Sequence, residues 1–210
     1  MIFSIYWSFC SDCQTEDQEK FNSFICQQFD IVDGLTLLNE TILLPDISWT
    51  KWSSLVPMAD LEYLDVNEQL IIPTVDTVRL ESFINIFLEQ NKFLILCGPP
   101  GSGKTMTVLD CLRASNRELI SINFSGKSVI DDLLSALHQY CMYSRTSSGV
   151  SLKPRSNEEV VCFIDEINLP SLDDFGSQPI ICFLRELVQS GGFYSKENVF
   201  VKLENVKFVA

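Results

Sequence analysis

Histidine is nearly absent from this chain: one residue, His138, in 210. A Ser-His-Asp or Cys-His mechanism, which needs an imidazole beside the nucleophile, therefore has no support. Basic residues are scarce too, with 15 Lys and Arg against 28 Asp and Glu and a formal charge of -13. Nucleic acids and anionic membranes are bound through clustered cations, so neither is expected as a partner. Long apolar runs are missing. Phe93 to Cys97 and Val160 to Ile164 fall far short of the roughly 20 residues that cross a bilayer. The first ten residues, MIFSIYWSFC, lack a basic n-region and a small-residue cleavage site, and are expected to be a piece of core rather than a leader. Internal repeats and low-complexity tracts are also lacking.

What is present is an ordinary globular composition, 46% hydrophobic, enough for one domain of good size or one and a half small ones. Of eight cysteines, Cys97, Cys162 and Cys182 lie inside apolar runs, where a buried thiol behaves as a small hydrophobe. A reducing, intracellular compartment fits this pattern. Cys10 and Cys13 form a CxxC without the second ligand pair that zinc requires, so free thiols are expected there.

Residues 1–72 show separate apolar clusters without one sustained period, including Trp49 and Trp52 ahead of Val56-Pro57. They read as the tail of one unit followed by a connector. From Ile71 the pattern changes. Val78, Leu80, Phe83, Ile84, Phe87 and Leu88 predict an amphipathic helix over 76–89. The run 93–97 predicts a strand buried on both faces. A helix over 105–112, a strand over 119–124 and a helix over 129–141 follow, the last with Ser128 and Asp131 as its capping box. His138 falls within that helix, away from any expected chemistry. After a polar stretch over 144–159 come a buried strand over 160–164, a helix opened by Pro179, a hairpin of 192–194 with 199–203, and a further strand from Val206. Strands alternating with helices predict a three-layer α/β sandwich on a mainly parallel sheet, with a β-hairpin insertion.

Gly98-Pro99-Pro100-Gly101-Ser102-Gly103-Lys104-Thr105 matches GxxxxGK[ST] in full, between a predicted strand and a predicted helix. Such a loop turns its backbone N–H groups onto phosphate oxygens and adds the positive end of the following helix. An acidic chain can bind ATP by such a local device. Lys104 is expected at the β- and γ-phosphates and the Thr105 hydroxyl on Mg²⁺. Asp165 and Glu166 end a buried strand, at the carboxyl edge where open α/β sheets bind ligands. Asp165 is expected in the Mg²⁺ shell, and Glu166 as the base that orients and deprotonates the attacking water. Asn168 could face the γ-phosphate or cap a turn.

With these residues in hand, the chain resembles the third AAA+ module of the cytoplasmic dynein heavy chains, from IPTVDT ahead of the loop through GPPGSGKTMT, DEINLP and the GGFY hairpin before KLE. YWSF and the Trp49–Pro57 stretch resemble the end of the preceding module and the approach to this one. The resemblance implies residues 1–70 as that preceding end plus connector, and 71–210 as an AAA+ large subdomain ending before its helical lid. It implies a slowly hydrolysing regulatory module that gates a minus-end-directed microtubule motor. Ile72, Pro73 and Thr74 would lie by the adenine, Gly98 to Thr105 on the phosphates, with Asp165 and Glu166 as Walker B. Its implied partners are ATP and ADP, neighbouring AAA+ modules, intermediate, light intermediate and light chains, and microtubules. The implied location is the cytoplasm and cytoskeleton.

Sensor 1, sensor 2 and an arginine finger would lie outside the chain, and a finger alone is worth about 10³ to 10⁵ in rate. Weak nucleotide binding and negligible turnover are therefore expected of the isolated polypeptide. Two other readings stay open from the residues alone: an independent remodelling ATPase of the midasin or MoxR type, and a structural module that binds nucleotide without hydrolysing it.

Overall fold

The computed structural model describes residues 2–10, 13–29, 36–43, 48–57, 71–115, 117–147, 149–156 and 158–210. The chain divides into two compact units, Met1–Leu80 and Glu81–Ala210.

In the first unit, helices α1 (Ile2–Cys10) and α2 (Thr15–Gln28) share a small core of Tyr6, Cys10, Ile25 and Leu37. Of the leading apolar residues expected in a core, Tyr6 and Cys10 are buried, whereas Phe9 is exposed. Strands β1 (Glu40–Leu43) and β2 (Ser48–Lys51) pair antiparallel, with Glu40 opposite Lys51. Trp52 follows, buried, while Trp49 is exposed. The Arg79 guanidinium lies 5.4 Å from the centroid of the Trp7 ring and donates to the Leu38 carbonyl at 3.3 Å. Of the expected module end and connector over 1–70, residues 58–70 lie outside the described residues.

Helix α3 (Val75–Glu89) starts with a reciprocal cap. The Thr74 N–H donates to Thr77 Oγ1 at 2.7 Å, and the Thr77 N–H donates to Thr74 Oγ1 at 3.2 Å. This is a capping box with threonine in both positions.

The second unit is built on a parallel sheet. Strands β3 (Glu118–Asn123), β6 (Val160–Asp165) and β9 (Val206–Val209) lie in the order β3-β6-β9. Beyond β9, Leu94 bridges Val209 in parallel, with Leu96 N–H donating to Ala210 O at 2.7 Å and Ala210 N–H to Leu94 O at 2.9 Å. The expected strand over 93–97 is therefore a single-sided attachment rather than a fully buried strand. It pairs with β9 alone among the described residues, and Ile95 is exposed. In β6, Val160, Cys162 and Ile164 face one layer, with α5 (Ile130–Tyr140) and α6 (Pro179–Ser190) contributing Leu133, Leu137, Ile180, Leu184 and Leu187. Val161 and Phe163 point the other way and are buried as well. The later part of α3 supplies buried Ile84 and Leu88, and α4 (Lys104–Ala114) supplies Val108, Cys111 and Leu112. A strand buried on both faces needs helices on both sides.

Strands β4 (Cys141–Thr146), β5 (Gly149–Pro154), β7 (Gly192–Tyr194) and β8 (Phe200–Leu203) form a second sheet in the order β4-β5-β8-β7. The hairpin of β7 and β8 is the expected one. The hairpin of β4 and β5 replaces much of the polar stretch read over 144–159, and joins β8 through a parallel pairing. Two further readings are corrected. The first turn of α5 is closed by Asp132, whose Oδ2 accepts the Val129 N–H at 2.9 Å, while Ser128 Oγ accepts the Ser125 N–H. The helix starts one residue later than the Ser128 and Asp131 pattern implied. Cys97 and Cys182 are exposed, whereas Cys162 is buried. Cys97 lies where the chain leaves the sheet for the loop, and Cys182 on the side of α6 turned from Ile180 and Leu184. None of the eight cysteines forms a disulfide.

Candidate functional site

Parallel pairing brings the carboxyl ends of the 94–96 segment, β6 and β9 to one edge of the sheet. The loop 98–103 leaves that edge and feeds α4, with Gly103 as its N-terminal boundary residue at φ 80° and Gly101 at φ 78°. A side chain is strained in that left-handed region, so glycine fits both positions. Lys104 Nζ lies over the loop, donating to Gly98 O at 2.9 Å, Pro99 O at 2.8 Å and Ser102 Oγ at 3.3 Å. Its ammonium is thus centred where the loop's own oxygens converge.

In the first turn of α4, Thr105 Oγ1 donates to Asp165 Oδ2 at 3.1 Å. That contact spans 60 residues and joins the phosphate-type loop to the end of β6. The other carboxylate oxygen of Asp165 accepts the Glu166 N–H at 3.0 Å, and the Asp165 carbonyl accepts the Phe124 N–H at 3.0 Å. The aspartate is therefore oriented from three sides. Glu166 stands at φ 55°, a left-handed backbone that a non-glycine residue adopts only when its surroundings hold it there. A cleft of about 760 Å³ is lined by Cys97, Gly98, Pro100 to Met106, Asp165, Glu166 and Asn168, among others. One cation, Lys104, and two carboxylates, Asp165 and Glu166, meet there.

The loop, Lys104, Thr105, Asp165, Glu166 and Asn168 are thus brought together. Ile72, Pro73 and Thr74 belong to the first unit, where Thr74 caps α3. His138 lies elsewhere, its Nε2 paired with the Tyr143 hydroxyl at 2.9 Å. That pair borders a larger groove of about 1200 Å³ between α5, α6 and the β7–β8 hairpin. The groove lacks the phosphate loop and the paired carboxylates, so size does not make it the chemical site. No group of three His, Cys, Asp or Glu side chains suited to a metal occurs among the described residues. Sequence reasoning missed Gly126, Ser171 and Gln178, which fasten the segment after Glu166. Their only signal was polarity in a loop.

A family profile for the P-loop containing dynein motor region matches residues 64–210, and one for the dynein heavy chain AAA lid domain matches residues 1–54. The chain belongs to the dynein motor region family. As a dynein AAA+ module it carries the nucleotide site of its P-loop. The chain is 37% identical to the cytoplasmic dynein heavy chain of Fusarium vanettenii over its whole length. It is 40% identical to that of Eremothecium gossypii over 98% of its length, and 36% identical to that of Drosophila melanogaster over all of it. It spans 5% of the length of each of these relatives.

Proposed function

We propose that this dynein module binds Mg-ATP at the cleft between the phosphate loop and β6, hydrolyses it slowly, and regulates a microtubule motor. The observation that carries the reading is the Thr105 to Asp165 contact at 3.1 Å, which sets two hard oxygen donors face to face beside Lys104. Such donors suit Mg²⁺, which takes one or two protein oxygens and completes its shell with phosphate and water. Thr105 and Asp165 would hold the ion, which when bound neutralises charge on the phosphates.

The N–H groups of 98–105 and the α4 terminus bind phosphate oxygens, Lys104 reaches the terminal phosphates, and Glu166 takes the proton of the attacking water. Taken alone, the chain binds nucleotide weakly and its steady-state turnover is negligible, so its cleavage is read from a single slow turnover. Within the parent motor, residues 1–70 end the preceding module and 71–210 form the large subdomain of the third, with Ile72, Pro73 and Thr74 by the adenine. Through that parent the module meets its neighbouring AAA+ modules, the intermediate and light chains and microtubules, in the cytoplasm. The similarity to cytoplasmic heavy chains across the whole chain supports this assignment.

Glu166→Gln in the parent heavy chain tests the role. It should retain ATP at this site and slow movement along microtubules, whereas nucleotide turnover and movement indifferent to the change would reject it.

A further inference from the structure

We propose that Ser171 and Gln178 are positioning residues for the Glu166 carboxylate: they set how fast bound ATP is cleaved without taking part in holding it. The inference rests on the reading of Glu166 as the base.

The segment that leaves β6 is tied at four places. At its start, Phe124 N–H donates to Asp165 O at 3.0 Å. Leu169 N–H then donates to Glu166 O at 3.0 Å, closing a turn on the residue at φ 55°. At its far end Ser171 binds the loop after β3 twice, Oγ donating to Gly126 O at 2.5 Å and N–H to the same carbonyl at 3.3 Å. One residue earlier, Pro170 O accepts Gln178 Nε2 at 2.6 Å.

Gln178 is itself firmly placed. It borders α6 at its start, and that helix buries Ile180, Leu184 and Leu187. Between the two anchors, residues 173–177 close on themselves. Asp173 Oδ1 accepts the N–H groups of Ser177 at 2.8 Å and Phe175 at 3.0 Å, and Asp173 N–H donates to Ser177 O at 2.7 Å. The Ser177 and Phe175 bonds hold the Asp173 carboxyl below the usual range.

Neither Ser171 nor Gln178 lines the nucleotide cleft, whereas Glu166, Ile167 and Asn168 do. A left-handed glutamate survives only while its surroundings over-determine it, and the far end of its segment depends on these two side chains. The N–H groups that would take the phosphates belong to a different loop. Loosening the clasp should thus act on the base and spare the binding groups.

The test uses the whole chain with Mg²⁺ and ATP labelled on the γ-phosphate, protein in excess, so that one slow turnover suffices. A misplacement of about 1 Å at a reacting group costs up to about 10²-fold. Ser171→Ala and Gln178→Ala should each slow cleavage about tenfold, with the ATP dissociation constant within about twofold of the unsubstituted chain. Ser171→Thr, which keeps the hydroxyl, should restore the rate. Unchanged cleavage in both alanine variants, while Glu166→Gln abolishes it, would overturn the inference and leave the base reading standing. So would a slowed rate that falls together with affinity and melting temperature and is not rescued by threonine. Cleavage that is absent, or indifferent to Glu166→Gln, would remove the base reading and the inference with it.

Discussion

Thr74 shows how one residue can carry two signals. It stands in IPTVDT, the segment proposed to lie by the adenine, and its hydroxyl and N–H also form the box that starts α3. Replacing Thr74 by Ala should destabilise the fold by about 1 kcal/mol, the usual cost of losing such a cap, measurable in urea titrations. Cysteines divide by position in the same manner. Burial pushes the Cys162 thiol up to about 12 and the Cys111 and Cys141 thiols up to about 11, all from 9.0. For each, the folded value is raised. The stabilising contribution is therefore complete below pH 9, the unfolded value, and is lost as pH climbs through 11 to 12. In reducing buffer the melting temperature should fall between pH 9 and 11, and less steeply in Cys162→Ala. At neutral pH iodoacetamide should label Cys97 before Cys162, as peptide mass spectrometry would reveal; equal labelling in the folded chain would contradict the burial.

Among the elements, those with an unambiguous period were readable. Helix α5 repeats its apolar residues at helical spacing, and β6 is a continuous apolar run ended by a carboxylate, so each has one plausible state. Helix α1 was hidden because IFSIYWSFC is apolar on every side and gives no contrast between faces. Strands β4 and β5 were hidden for the opposite reason: Ser144, Arg145, Ser151 and Lys153 dilute any alternation, and the pairing that stabilises β5 comes from β8, 51 residues later by its register of Val150 with Val201. Long-range pairing of that sort leaves no local mark. The chemical residues were readable because a phosphate loop needs fixed types at fixed spacing, whereas the clasp at Ser171 and Gln178 needs only a donor in reach.

The second sheet also carries a sharp test. A Cβ on Gly192 would collide with the Val201 carbonyl and lie 2.8 Å from Phe200 Cζ. Gly192→Ala should therefore cost about 2–3 kcal/mol, in the range of overpacking, and loosen β7 from β8. Unchanged stability with unchanged amide protection in β8 would contradict the packing. Lys207 on β9 is buried and pairs with Glu159 at 2.7 Å, a carboxylate that Arg117 also approaches at 3.6 Å. Glu159→Ala should lower stability by about 1–2 kcal/mol, less than for a fully buried pair because Glu159 is partly exposed.

At the scale of the molecule, a chain of net charge -13 binding a polyanion is a matter of local fields. The glycine loop, the start of α4 and Lys104 gather positive potential at one sheet edge, and the carboxylates of Asp165 and Glu166 beside it demand a cation before phosphate can approach. A dependence on a divalent ion would separate this cleft from a merely basic surface. The most direct measurement is calorimetric titration of the whole chain with ATP, with and without Mg²⁺, for the unsubstituted form and for Lys104→Ala. Saturable one-site binding that needs Mg²⁺ is expected, weakened about 10- to 100-fold by the substitution, the equivalent of the roughly 1.5–3 kcal/mol that a hydrogen bond to a charged group contributes. No binding by the unsubstituted chain, or the same affinity after Lys104 is removed, would contradict the account.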